Sequence, residues 1–177
     1  MSYFLRELSR SDIHQLNQWR NDRDAQQFLV NPFRFIDEEV DEKWFDSYLA
    51  SRESSVRLMI CEADSQKPLG TVYLFNIDWV SRSCYFAIWV AEKDFRGRGV
   101  GEFATRAIME HAFKDMNLRR IHLGVLVNNE RAIALYKKVG FVEEGVWREA
   151  VFKNGRYVDL IQMGILVEEY QGGTSQI

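Results

Sequence analysis

The chain of 177 residues is expected to fold as one mixed α/β domain, spanning 1–177, with a largely antiparallel sheet. Three observations carry this. Strand-length apolar runs follow one another in the middle of the chain, joined by links too short for crossover helices. After Gly101 the apolar positions change to a helical period. Near the end, Asn154-Gly155 sits between two further strand-like runs, and Asn-Gly is the preferred two-residue hairpin turn because both positions tolerate positive φ.

Taken in order, "YFLRELS" alternates apolar and polar residues as a strand does, and "SRSD" supplies cap-type residues before a helix marked by Ile13, Leu16 and Trp19. Asn31-Pro32 then breaks the chain ahead of a second helix, whose expected apolar side is Val40, Trp44, Phe45, Tyr48 and Leu49. "SVRLMICEAD", "PLGTVYLFNID" and "SRSCYFAIWVAE" read as three consecutive strands. Val100, Phe103, Ala104, Ala107, Ile108 and Ala112 form one helical stripe, with Glu102, Arg106, Glu110 and Lys114 mostly off it. "RRIHLGVLV" is a strand, and "NNERAIALYKKVG" a short helix closed by Gly140. The hairpin around Asn154-Gly155 completes the sheet, and residues 168–177 are expected to fray.

Composition narrows the function. At 46% hydrophobic and 28% charged residues, the chain lacks both the low hydrophobicity of a disordered segment and an apolar run long enough to span a bilayer. No targeting segment precedes the first strand, so the cytoplasm is the expected compartment and no membrane partner is expected. Cys61 and Cys84 lie in apolar runs and read as small buried hydrophobes. His14, His111 and His122 have no ligand spacing, so no metal is expected. A net charge of −3 argues against a nucleic-acid partner and leaves a small molecule.

The richest local signal is "EKDFRGRGVGEFATRAIMEHAF", residues 92–113. A strand, then glycines, then a helix places backbone N–H groups without intrahelical partners at a helix N-terminus, which suits an anion. Gly97, Gly99 and Gly101 clear side chains from the approach, while Arg96 and Arg98 add positive charge. A plain glycine-rich turn with solvated arginines would also fit this segment alone. Neither the dinucleotide fingerprint nor the Walker loop matches its spacing.

The pattern Arg96-x-x-Gly99-x-Gly101 resembles the pyrophosphate motif of the GNAT superfamily of acetyl-CoA-dependent N-acetyltransferases, at every defined position. "NNERAIALYKKVGF" is similar to a second motif of that family, with Asn129, Ala132, Ile133, Leu135, Tyr136, Lys138, Gly140 and Phe141 in register. The resemblance implies the GNAT fold, a mixed and mostly antiparallel sheet of about six or seven strands with helices on both faces. It implies acetyl-CoA as cosubstrate. Trp89, Val90 and Ala91 would meet the acetyl carbonyl and pantetheine arm, and Arg96, Gly97, Arg98, Gly99, Val100 and Gly101 the pyrophosphate. Asn129, Ala132, Tyr136 and Lys138 would face the cofactor from the second motif. The sheet would splay between the two strands that flank the cleft.

The chemistry sets requirements. An amine of pKa near 10 is only about 0.1% neutral at pH 7, so presenting it as a nucleophile costs about 4 kcal/mol without help from the site. A strand N–H near Val90 would stabilise the developing oxyanion. Tyr136 matches the family's general acid for the departing thiolate; without the motif it reads first as a core tyrosine beside Leu135. Asp78, Glu92, Asp94 and Glu143 are position-compatible bases, none singled out, and water is the alternative.

The acceptor is left open. "FVEEG" and "KNGRYVDLIQMGIL" resemble bacterial spermidine/spermine acetyltransferases, and "DEEVDEKWFD", with six carboxylates against one lysine, would suit a polycation or merely be a helix's wet face. "QWRND" and "NIDWVSRSCYFAIWVA" resemble acetyltransferases of nucleotide-linked 4-amino sugars, which would put Trp19, Arg20 and Asn21 at the acceptor; Trp19 fits a core anchor as well. "LRELSRSD" is similar to the group that acetylates ribosomal-protein N-termini. A non-catalytic acyl-CoA-binding module is the rival outside the enzymes, and the intact Tyr136 and glycine motif argue against it. Members of such families often form dimers, and by that analogy a homo-oligomer is a candidate state here, with the "VWREAVF" segment as its candidate surface.

Overall fold

The computed structural model describes residues 2–171. Its elements run β1 (Tyr3–Glu7), α1 (Ile13–Arg20), α2 (Glu38–Ala50), β2 (Ser55–Glu62), β3 (Pro68–Asp78), β4 (Ser83–Val90), α3 (Val100–Glu110), β5 (Arg120–Leu126), α4 (Glu130–Lys138), β6 (Val142–Lys153) and β7 (Arg156–Leu166). The strands form one seven-stranded sheet in the order β1-β2-β3-β4-β5-β7-β6. Every neighbouring pair is antiparallel except β4 and β5. The crossover between those two strands contains α3, as a parallel connection requires.

Side chains alternate across each strand, so the sheet has two apolar faces and must cover both. Ile60, Val72, Leu74, Cys84, Phe86 and Leu123 pack under Ala104, Ile108 and Met109 of α3. Met59 and Cys61 face the other way, against Leu16 and Trp19 of α1 and Phe45 and Tyr48 of α2. Helices therefore lie on both faces, as expected. Ile108 is fully buried, and truncating such a side chain to alanine costs about 2–5 kcal/mol.

The second helix differs from its sequence pattern. It begins only at Glu38, where the Asp37 side chain accepts from Glu39 N at 2.9 Å, and 31–37 has no helix. Val40 and Leu49 are 56% and 46% exposed, while Asp41 is 0% exposed. The buried stripe is thus Asp41, Phe45 and Tyr48, rotated away from the purely apolar one, because the Asp41 carboxylate finds Arg20 and Asn17 beneath the helix.

The β6–β7 hairpin turns on Asn154 and Gly155 at φ 52° and 78°, with Lys153 opposite Arg156. Within the stretch expected to fray, Tyr170 lies 5.1 Å from Phe113, ring to ring; residues 172–177 lie outside the described ones. Among the described residues, no helix is long and apolar enough to cross a membrane, and no group of three or more His, Cys, Asp or Glu could hold a metal.

Candidate active site

The parallel pairing of β4 with β5 ends at Tyr85 and His122, although β4 continues to Val90 and β5 to Leu126. Beyond that point the strands diverge. Ala91 N and Glu92 N both donate to Leu69 O, at 3.0 and 3.1 Å, a bulge that ends the β3–β4 ladder. Because Ala91 N points at β3, alternation turns the N–H groups of Ile88 and Val90 towards the gap. A cleft of about 1840 Å³ runs through it, lined by Ile88, Val90 and Tyr136 from one face and Tyr73, Tyr85 and Trp89 from the other.

At the α3/α4 end, the glycine loop closes the cleft. Gly97 and Gly99 sit at φ 85° and 84°, in the left-handed region where a side chain is strained, and nothing lies within 4 Å of where a Gly99 Cβ would be. Gly99 is the N-cap of α3, so the N–H groups of Val100, Gly101 and Glu102 have no acceptor inside the helix. Gly101 lets α4 approach, with Leu135 Cδ2 3.2 Å from the position of its absent Cβ.

The cations around this loop are mostly engaged. Arg96 donates from Nε to Val90 O at 3.0 Å and from Nη2 to Ala91 O at 3.2 Å, bracing the end of β4. Burial, then the neighbouring Arg131, push its pKa below the usual guanidinium value, which favours an anion in the cradle. Arg98 stacks on Phe95, 5.4 Å from its centroid. Lys138 Nζ binds Glu102 Oε2 at 2.6 Å, and Asn129 Oδ1 caps α4 by accepting from Ala132 N at 3.3 Å. Val100 is buried under α3, whereas Gly97, Gly99, Gly101, Asn129, Ala132 and Lys138 line the cleft.

Tyr136 projects from α4 into the gap. Its ring is wedged edge-on against Phe86 at 5.9 Å and beside Phe141 at 5.8 Å, and only 7% of the residue is exposed. The hydroxyl has no hydrogen bond to any described residue. Burial raises its pKa well above that of a free phenol, so it stays protonated at every physiological pH.

A family model for the acetyltransferase (GNAT) domain matches residues 3–142. The chain belongs to the GNAT acetyltransferase family. It is 31% identical over 167 residues to spermidine N(1)-acetyltransferase of Vibrio cholerae, covering 94% of each chain. It is 30% identical over 167 residues to the Escherichia coli K12 enzyme of the same name, covering 94% of this chain and 87% of that one. A crystal structure of the Vibrio cholerae enzyme in complex with CoA and spermine superimposes with a TM-score of 0.88 at 28% identity, covering 95% and 97% of the two chains. The chain is accordingly an N-acetyltransferase that uses acetyl-CoA.

On the opposite face of this GNAT sheet, the expected acceptor triplet separates. Arg20 alone lines the cleft, ion-paired to the buried Asp41 and 4.6 Å over the Trp44 ring. Trp19 is a core anchor: it packs 6.0 Å from Trp89 and donates Nε1 to Glu92 Oε1 at 3.0 Å. Asn21 is a strap: its Nδ2 donates to Ile36 O at 2.8 Å and its Oδ1 accepts from Ile36 N at 3.0 Å, pinning the loop before α2. Trp89 lines the cleft and donates Nε1 to Ala25 O at 3.0 Å. Lys153, buried, donates to Gln26 O at 2.8 Å, Asn31 O at 3.2 Å and Leu29 O, clamping the same loop from β6.

None of the four position-compatible bases lines the cleft. Glu92 is held by Lys67 at 2.5 Å and by Trp19, and these bonds outweigh burial to keep its pKa low. Asp78 caps the β3–β4 turn through Val80 N and Ser81 N. Glu143 lies 3.6 Å from Lys137. Arg131, Arg57 and Tyr73 are among the cleft residues that the sequence motifs did not mark. Arg131 holds Nη2 3.0 Å from the would-be Gly97 Cβ, and Arg57 and Tyr73 line the far wall. Arg131 occupies an undefined position of the second motif. Arg57 alternates with Val56 and Leu58 on β2, and that break in an apolar strand was the only available signal.

Proposed function

We propose that the enzyme transfers the acetyl group in one direct step to a primary amine of a small molecule. The observation that carries this is the Tyr136 hydroxyl, unbonded and protonated at the same gap where the N–H groups of Ile88 and Val90 face the open edge of β4. Acetyl-CoA supplies the activated acyl group. The first N–H groups of α3, the bared backbone of Gly97 and Gly99, and Arg131 fit its pyrophosphate. Asn129, Ala132 and Lys138 complete that wall.

In this reading, Val90 N–H donates to the carbonyl oxygen as it gains negative charge, a contribution of about 10²–10³ in rate for one such donor. The amine nitrogen forms its bond to the acyl carbon as the carbon–sulfur bond breaks. Tyr136 gives its proton to the departing sulfur, worth about 10²–10⁴. The acylated nitrogen loses its proton to water, and a proton from water restores the Tyr136 hydroxyl before the next turnover, because the carboxylates that line the cleft, Glu102 and Glu130, both stand at the pyrophosphate end.

Two acceptor classes are carried forward. A polyamine such as spermidine is supported by the names of relatives that match over nearly the full chain. A nucleotide-linked amino sugar is the second reading, and the cations Arg20 and Arg57 at the acceptor end favour it. Thiol release from acetyl-CoA, measured with polyamines, amino-sugar nucleotides and peptides, tests the proposal. Tight acetyl-CoA binding with turnover on none of them would overturn it.

A further inference from the structure

Arg57 projects from β2 into the acceptor end of the cleft, on the α1/α2 face. Its guanidinium carbon lies 4.7 Å from the Trp44 ring, 4.9 Å from Tyr73 and 5.6 Å from Tyr48. Aromatic faces attract the charge but accept few of the five N–H donors. No described residue accepts a hydrogen bond from Arg57, and its Nε is out of contact with solvent as well. Asp41, the buried carboxylate of α2, is already committed to Arg20 and to Asn17 Nδ2 at 2.8 Å. Arg57 is therefore a cation in excess.

The same face holds three more polar atoms that are buried and unpartnered: Tyr73 Oη, His122 Nδ1 and Gln162 Nε2. Tyr73 pairs across from Arg57 in the β2–β3 ladder, and Thr71 beside it lies outside hydrogen-bond geometry. Buried polar groups are ordinarily paired, so the orphaned Tyr73 hydroxyl beside Arg57 on the cleft wall points to oxygens brought by a ligand, while His122 and Gln162 lie farther along the same sheet face, outside the cleft lining. A guanidinium selects carboxylate or phosphate above other oxygens, because two parallel N–H groups match two anionic oxygens. A ligand carrying only ammonium groups would instead meet like charge here.

We infer that the acceptor amine belongs to a molecule that also carries an anionic oxygen group, a carboxylate or a phosphate, which docks on Arg57 with Tyr73 beside it. The inference rests on the acetyltransferase reading of the cleft and names the substrate class within it. Arg57 is then a specificity residue that holds the acceptor by its anion while the amine reaches the β4–β5 gap.

The test uses the full chain saturated with CoA, so that the pyrophosphate cradle is filled, and titrates it with matched amines. Lysine against cadaverine adds a carboxylate to one aminoalkyl chain; glucosamine 6-phosphate against glucosamine adds a phosphate to one sugar. The anionic member of at least one pair should bind about 10- to 100-fold more tightly, the range of a charge-assisted hydrogen bond pair. Whichever pair responds identifies the anion. Arg57→Gln should abolish the preference, leave CoA affinity unchanged, and leave Tm unchanged or higher, since it removes an uncompensated charge. Arg57→Lys should keep part of a phosphate preference and little of a carboxylate one. Twins that bind alike, a preference that survives Arg57→Gln, or spermidine binding more tightly than every anionic probe would overturn the inference. Acetyl transfer, read in parallel by thiol release, reports on the proposed function independently of these affinities.

Discussion

Replacing Tyr136 by phenylalanine separates its packing from the acid role proposed for it, because the ring and the hydroxyl have different surroundings. The ring contacts with Phe86 and Phe141 survive the change. The hydroxyl has no partner among the described residues, so its loss orphans nothing, and the fold should stay within about 0.5 kcal/mol of its original stability. Activity should respond differently. A lost general acid lowers kcat by about 10²–10⁴, which at 1.36 kcal/mol per decade is about 2.7–5.4 kcal/mol of barrier. Thiol release under saturating acetyl-CoA measures kcat, and calorimetric titration measures the acetyl-CoA Kd, which should change less than threefold. Tyr136→Ala provides the contrast: it empties a buried aromatic site and should cost about 3–5 kcal/mol of stability as well. The raised pKa adds a pH signature, since the acid stays loaded and kcat should show no alkaline fall below pH 10, the ordinary phenol value. A kcat for Tyr136→Phe within threefold of the parent, with Tm unchanged, would refute the acid role.

Three further outcomes follow from other parts of the molecule. Gly99→Ala places a Cβ in open space at φ 84°, so the cost is backbone strain of about 1–2 kcal/mol, visible as a lower Tm together with weaker acetyl-CoA binding; an unchanged Tm would show the loop free to adopt another φ. Burial, then Arg120, hold the pKa of His122 below its ordinary 6.5, so the unfolded chain takes up a proton that the folded one resists. Stability should be full above pH 6.5 and decline as pH falls from there towards the folded pKa, and denaturation at pH 7.5 and 5.5 should give equal values in His122→Gln. Lys153→Met orphans the three carbonyls that Lys153 holds, so it should cost about 1.5–3 kcal/mol and raise the acceptor KM, while acetyl-CoA affinity is preserved; a parallel rise in the acetyl-CoA Kd would mean that the clamp serves both ends of the cleft.

Much of the fold was legible because the relevant signals are local. Strand alternation, the α3 stripe and the Asn154-Gly155 turn each need only neighbours in sequence, and each element stands where the pattern put it. The α2 pattern misled because burial of Asp41 depends on Arg20 and Asn17, which no period in 38–50 can reveal. In the site, Gly97, Gly99 and Gly101 were readable from spacing, since a bared helix N-terminus is a local construction. Arg57 was not, because its meaning lies in missing partners.

The sequence alone determined the family and the candidate donor side: a strand, a glycine loop and a helix in that order bare N–H groups that suit an anion, and two motifs in register resemble those of the acetyltransferases. The tertiary structure decided where the candidate acceptor residues stand. Trp19, Arg20 and Asn21 are adjacent in the chain, yet packing assigns them to the core, the cleft and the loop strap respectively. Arg57, Tyr73, His122 and Gln162 come from four different strands and share one face only because the sheet aligns them. Charge balance and hydrogen-bond satisfaction are properties of a three-dimensional neighbourhood, and they arise only once the chain has folded.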